Sequence, residues 1–325
     1  MPNPNMIYGD GNPNTLNGTS GIDYMYGGAG NDILIAGGGD DRLYGGTGGD
    51  TMKGGAGNDK YYVDSAFDTV VELKGEGDAD EVYASVTFNV PTNIEYYILQ
   101  DGAGSIDAFG NSQNNKIYGN EGDNSIWGGG GNDSIWGDGG NDHLYGGNGD
   151  DALIGGEGAD VMRGGLDNDS YYAGNEDTII ENANEGVDHV YVLNHYTLGA
   201  NLEDLTLQGH AGFDLEGNEL HNVIEGNSGD SRIDGRGGAD DLIGNNGNDT
   251  FVFRAGEANG DRVLDFGDVF YSADELEFQG YGPCAMFQHI DGTDQWLISS
   301  ADGSIQDTIT LVGVSTIDPS AIHFV

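Results

Sequence analysis

Apolar residues recur along this chain at an interval of nine. Leu16, Met25, Leu34, Leu43, Met52 and Tyr61 form one series; Ile117, Ile126, Ile135, Leu144, Leu153, Met162 and Tyr171 a second; Ile224, Ile233, Leu242 and Phe251 a third. Each stands eighth in a nonapeptide whose first six places are rich in Gly, Asn and Asp, as in GGAGNDILI at 27–35. One inward residue between two outward ones is a minimal strand, and the six residues before it are a turn. Two strands and two turns close a coil of eighteen residues, and stacked coils make a parallel β solenoid.

The pattern therefore predicts an all-β chain, a parallel β-roll in three arrays. The first array occupies 1–62, with a degenerate first repeat at 9–17; the second occupies 110–172 and the third 217–252. Two inserts, 63–109 and 173–216, separate them, and 253–325 forms a C-terminal cap. The inserts are duplicates of one another. DTVVE at 68–72 matches DTIIE at 177–181, and NIEYYILQ at 93–100 matches NLEDLTLQ at 201–208. Their alternating apolar runs predict broader solenoid coils without calcium, with a structural role.

A core only one side chain wide in each sheet raises the question of what holds the turns, and composition supplies an answer. Ten Lys and Arg against 56 Asp and Glu give a formal charge of -46, and 60 residues are Gly. So much Gly excludes a helical bundle. So much negative charge excludes nucleic acid and anionic membrane as partners, since both reward clustered Lys and Arg. Of the acids 40 are Asp and 16 Glu, a bias toward the short side chain that folds back onto turns and builds oxygen cages around hard cations. With Cys284 the single cysteine, neither a disulfide framework nor a Cys-rich zinc site is available.

The acids concentrate at the sixth place of the repeat. Asp23, Asp32, Asp41, Asp50 and Asp59 hold it in the first array, Asp133, Asp142, Asp151, Asp160 and Asp169 in the second, and Asp240 and Asp249 in the third. Residues eighteen apart stack at the ~4.8 Å spacing of neighbouring strands, where carboxylates repel unless a cation separates them. Six or more oxygens from carboxylates and turn carbonyls suit Ca²⁺. The pairs 23/41, 32/50, 41/59, 133/151, 142/160 and 151/169 read as six firm sites. Asn14, Asn115, Asn124, Asn222 and Ser231 take the sixth place where arrays open, so 14/32, 115/133, 124/142, 222/240 and 231/249 read as up to five weaker ones.

These nonapeptides resemble the GGxGxDxUx motif of the repeats-in-toxin (RTX), or hemolysin-type, calcium-binding family, whose fold is the parallel β-roll. The resemblance implies that one turn offers its second and fourth carbonyls with its Asp, and the turn a coil later its first and third. The implied second- and fourth-place carbonyls are those of Gly28, Gly30, Gly37, Gly39, Gly129, Gly131, Gly147 and Gly149. The implied first- and third-place carbonyls are those of Gly45, Thr47, Gly54, Ala56, Gly137, Gly139, Gly146, Asn148, Gly155, Glu157, Gly164 and Leu166. GDRVLDF at 260–266 and the run 307–325 resemble the C-terminal segment of RTX proteins, which closes the roll and carries an uncleaved type I secretion signal. Met1 to Ser20 offers neither the basic nor the apolar region of a cleavable signal, in keeping with that route.

No HExxH and no GxSxG occurs, and His143, His189, His195, His210, His221, His289 and His323 are dispersed. Cys284 is expected to be buried or incidental. The expectation is a non-enzymatic, monomeric protein that binds several Ca²⁺ and works outside the cell or at a bacterial surface, with type I secretion machinery as a partner. Met1 lies a few residues before the first repeat, which favours a stand-alone protein. One alternative is the calcium-binding and secretion module of a larger enzyme or toxin. Another is an adhesin that binds cell-surface polysaccharide through its ninth-place aromatics, Tyr26, Tyr44 and Tyr62 among them; the bland reading is that these rings cover the sheet.

Overall fold

The computed structural model describes residues 4–267 and 273–325; residues 1–3 of the expected first array and 268–272 within the expected cap lie outside the described residues. The chain divides into two compact units, Met1–Asp169 with Glu176–Ile179, and Ser170–Asn175 with Ile180–Val325. Each is a parallel β solenoid, and the described residues contain no α-helix.

In the first unit, one sheet stacks Asn5–Tyr8, Asp23–Ala29, Arg42–Thr47, Lys60–Val63, Glu81–Ala84, Tyr96–Leu99, Lys116–Tyr118, Ser134–Gly139 and Ala152–Glu157, every neighbour parallel. The other side of the roll carries Thr15–Asn17, Ile33–Gly38, Thr51–Ala56 and Thr69–Val71, then Phe88–Asn89, Ala108–Phe109, Ser125–Gly130, His143–Asn148, Val161–Leu166 and Thr178–Ile179. Within the arrays, paired residues are eighteen apart, as Met25 with Leu43 and Leu34 with Met52. Sixteen of the seventeen eighth-place residues are fully buried. Leu16, in the degenerate first repeat, is only half-buried.

Apart from Thr15–Asn17 and Lys116–Tyr118, strands in the first two arrays are longer than the three residues the pattern predicts. Gly28 pairs with Gly46 and Ala29 with Thr47, so the ladder continues into the turn. Gly28 and Gly37 reach φ of 106° and 107° there, beyond the left-handed helical region where residues with a Cβ normally stop. In the third array the second places Arg236 and Asn245 stand at 62° and 66°, and the strands Val223–Glu225, Arg232–Asp234 and Asp241–Ile243 shrink to three residues.

The second unit stacks Ser170–Ala173, His189–Val192, Asp204–Leu207, Val223–Glu225, Asp241–Ile243, Arg262–Val263 and Gln306–Leu311 in parallel. Its other sheet runs Tyr196–Thr197, Asp214–Glu216, Arg232–Asp234, Thr250–Arg254, Glu275–Gln279 and Ile322–Phe324. At the cap the pairing turns antiparallel, with Gln295–Ser299 between Gln306–Leu311 and Met286–His289. The cap replaces single side chains with an aromatic cluster, Phe253, Phe278, Phe287 and Phe324, whose rings lie 4.9–5.6 Å from Phe278.

Candidate metal centres

The twelve sixth-place Asp residues are all at most 2% exposed. Within each array one oxygen is held by the coil before it. The amide of Asp23 donates to Asp41 Oδ1 at 2.7 Å, Asp32 to Asp50 at 2.7 Å, Asp41 to Asp59 at 2.8 Å, Asp133 to Asp151 at 2.7 Å and Asp142 to Asp160 at 2.8 Å. The second oxygen of Asp32, Asp41, Asp50, Asp59, Asp133, Asp142, Asp151, Asp160, Asp240 and Asp249 is buried without a hydrogen-bond partner. It folds back over the first Gly of its own repeat: a Cβ on Gly45 would stand 2.5 Å from Asp50 Oδ2, and one on Gly146 2.2 Å from Asp151 Oδ2. The first-place glycines are therefore required by the carboxylate.

A buried carboxylate without a partner is costly, and the protein's own charges do not relieve it. Burial, resisted only in part by the amide bonds, pushes Asp41 and Asp151 up to about 6, Asp133, Asp142 and Asp249 to about 7, and Asp59 and Asp240 to about 8. Such a column needs protons or a cation, and at neutral pH a cation is the donor set's natural complement.

The implied carbonyls lie close by. A Cβ on Gly46 would come within 2.2 Å of Gly28 O and one on Gly48 within 2.0 Å of Gly30 O, so second- and fourth-place carbonyls face the turn a coil later. The first-place carbonyl of Gly45 points back at Gly27, 2.4 Å from where a Cβ would stand. Third-place carbonyls are already half-used. Thr47, Ala56, Asn148, Glu157 and Leu166 accept from the amides of Gly30, Gly39, Gly131, Gly140 and Gly149 at 2.7–3.1 Å, leaving one lone pair on each. All oxygens, with no sulfur or imidazole, this set suits Ca²⁺.

Where arrays open, Asn replaces Asp for a visible reason. Asn115 and Asn222 keep the turn, since their Oδ1 atoms accept the amides of Asn111 at 2.9 Å and Asn218 at 2.8 Å. Their Nδ2 groups meanwhile donate to Ile94 O at 2.8 Å and to Leu202 O and Glu203 O at 3.0 Å, carbonyls of the inserts that a carboxylate would repel. A second set of residues escapes a reading keyed to Asp. Asn111, Asn120, Asn218 and Asn227, each second in its repeat, clamp two insert carbonyls apiece: Pro91 and Ile94, Gln100 and Gly104, Gly199 and Leu202, Gln208 and Ala211. The recurrent Gly-Asn opening of those four repeats is the sequence signal. Asn218→Ala should lower stability by ~1–3 kcal/mol in saturating calcium without changing the calcium count, because the part-buried Gly199 carbonyl loses the Asn218 donor and the buried Leu202 carbonyl keeps only Asn222; thermal melts and equilibrium dialysis read the two quantities.

Asp columns also run past each array. Asp50 donates its amide to Asp68 at 2.9 Å, Asp59 to Asp80 at 2.7 Å, Asp160 to Asp177 at 3.0 Å, Asp240 to Asp261 at 3.0 Å and Asp249 to Asp274 at 3.1 Å. Two of these residues sit in nonapeptides without the GGxG opening, VDSAFDTVV at 63–71 and GEGDADEVY at 75–83, whose eighth places Val70 and Val82 are buried.

The ninth-place rings stack on one another. Tyr8, Tyr26, Tyr44, Tyr62 and Tyr83 form one ladder with centroids 4.0–5.2 Å apart and planes within 12°, and Phe109, Trp127 and Tyr145 form another. Inner rings have both faces against neighbours, which leaves edges for contact with anything else. Cys284 is exposed, against the expectation of a buried thiol. His189 bonds Thr206 Oγ1 at 2.8 Å, and His195 accepts the Asp214 amide at 2.9 Å.

Fold and centres together define a parallel β-roll whose turns present buried carboxylate oxygens to a hard cation. A family model of the RTX calcium-binding nonapeptide repeat matches residues 8–43, 35–70, 109–144, 145–180 and 216–251, more than half of the chain. The chain belongs to that family, and it is a Ca²⁺-binding β-roll protein. No curated protein matches it.

Proposed function

We propose that this protein is exported and folds outside the cell on binding several Ca²⁺, serving there as a structural or surface-associated roll and not as an enzyme. The observation that carries this reading is the set of ten sixth-place Asp oxygens, buried and without partners, repeated coil after coil. The paired Asp residues would hold the ions together with the turn carbonyls named above, the Asp/Asp pairs more tightly than those with Asn or Ser. Bound Ca²⁺ supplies positive charge between stacked carboxylates and a brace between successive turns.

Export follows from the RTX resemblance of the C-terminal run and from the thermodynamics of the sites. Extracellular calcium modules have Kd values of ~10⁻⁴ to 10⁻³ M, so cytosolic calcium leaves them empty and external calcium fills them. No helix among the described residues is long and apolar enough to cross a membrane. An adhesin role would draw on the aromatic ladders, but their mutual stacking favours the plainer role of covering the sheet.

Asp151 belongs to two pairs, with Asp133 and Asp169, which makes it the most informative position. Isothermal titration should show Asp151→Asn losing or weakening two calcium equivalents, with a lower melting temperature in calcium. An unchanged stoichiometry and melt would show that the columns are not the sites.

A further inference from the structure

One cluster lies where the first array meets its insert and shares only Asp59 with the repeat pairs, where that residue belongs to 41/59. Asp59, the last sixth-place Asp of the array, Asp80, its successor in the column, and Glu72, from the insert, bring one carboxylate oxygen each within 4.8 Å of one another. Asp59 and Asp80 are 0% exposed and Glu72 is 5%. Each carboxylate has one oxygen held: Asp59 Oδ1 by the Asp41 amide at 2.8 Å, Asp80 Oδ1 by the Asp59 amide at 2.7 Å, and Glu72 Oε2 by the hydroxyl of Tyr61, which itself accepts the Gly54 amide at 2.8 Å. Each also has one buried oxygen without any partner: Asp59 Oδ2, Asp80 Oδ2 and Glu72 Oε1.

We infer that Asp59, Glu72 and Asp80 form a separate calcium site, a three-carboxylate centre that joins the first array to its insert. Charge argues for it. Three carboxylates share one buried space, and the charges acting most strongly on them are further carboxylates, Asp41, Glu76 and Glu95 among them. Divalent charge is the economical neutraliser, and an all-oxygen set with a phenol hydroxyl beside it selects a hard ion.

Register argues for it as well. Within the array successive column residues are eighteen apart, but Asp59 to Asp80 spans twenty-one, and the intervening turn departs from GGxG. Glu72 follows Thr69–Val71, a strand of the other sheet, and its longer side chain brings an oxygen across to this column. The ion would thus tie the two sheets together at the coil where the repeat period breaks. On this point the inference departs from the expectation of a calcium-free first insert.

The inference rests on the reading that the Asp columns take calcium, and the test separates the two. Calcium bound by the full chain is counted by equilibrium dialysis for wild type, Glu72→Gln, Asp151→Asn and the exposed control Glu121→Gln. The amide introduced by Glu72→Gln keeps an oxygen for the Tyr61 hydroxyl, so the variant removes charge and leaves that hydrogen bond. The expected result is a loss of one equivalent in Glu72→Gln, a separate loss in Asp151→Asn and none in Glu121→Gln. A full count in Glu72→Gln, with Asp151→Asn still deficient, overturns the three-carboxylate site alone and assigns the cluster to shared protons. A wild type that binds no calcium removes the column reading and this site with it. Should Glu72→Gln fail to fold, anomalous scattering from Tb³⁺-soaked wild-type crystals decides: a peak among Asp59, Glu72 and Asp80 supports the site, and peaks confined to the repeat columns refute it.

Discussion

In EGTA the chain should lose its β structure, and calcium titration should restore it in one steep step. At a formal charge of -46 the metal-free chain repels itself, and its arrays bury a single side chain per strand, which places it near the disordered class. Ions that bind only the folded state stabilise it by RT ln(1 + [Ca]/Kd) per site, ~2.7 kcal/mol at a hundredfold excess. Several sites along one roll exceed the ~5–15 kcal/mol that separates folded from unfolded in ordinary domains. Mg²⁺ should be far less effective, because it favours a smaller octahedral cage. Far-UV circular dichroism measures the transition. A compact, fully β-structured protein in EGTA would show that calcium decorates the fold without creating it.

The second large effect is a reversal of pH dependence between the metal-free and calcium-loaded protein. From an ordinary value of 3.8, burial lifts Asp41 and Asp151 to about 6, Asp133, Asp142 and Asp249 to about 7, and Asp59 and Asp240 to about 8. A carboxyl that ionises less readily when folded supports the fold fully below the unfolded value, and that support disappears as pH rises through the folded value. Without calcium, residual structure should therefore be greater at pH 5 than at pH 8. With calcium the slope changes sign, because ligands must be deprotonated to bind and protons compete with the ion. Melting curves at pH 5 and pH 8, with and without calcium, test both signs. Parallel slopes in the two states would mean that the columns are not where calcium acts.

The eighth-place register was legible because it depends on one property, an apolar side chain every ninth residue, that the solenoid cannot relax. Sixth-place Asp residues were legible for the same reason. What escaped was chemistry outside the GGxG opening: Asp68 and Asp80 continue the columns, but VDSAFDTVV and GEGDADEVY lack that motif. The Asn clamps escaped because their partners are insert carbonyls distant by sixteen to twenty residues, a relation set by coil width and not by residue type. Glu72 was hidden in the same way, since nothing in DTVVE announces that its last residue reaches across the roll to Asp59.

The pairing of each residue with one eighteen places away makes this chain editable only in fixed quanta. Removing eighteen residues from inside an array deletes a coil and lets the neighbours above and below close ranks, each Asp meeting an equivalent Asp. Removing nine keeps every motif intact to the eye yet sends all later strands to the opposite side, so that the broader insert coils and the cap arrive at the wrong sheet. Length in such a protein can therefore grow or shrink by tandem copying far more readily than by point insertion, and the duplicated inserts are the mark of a chain enlarged by whole blocks.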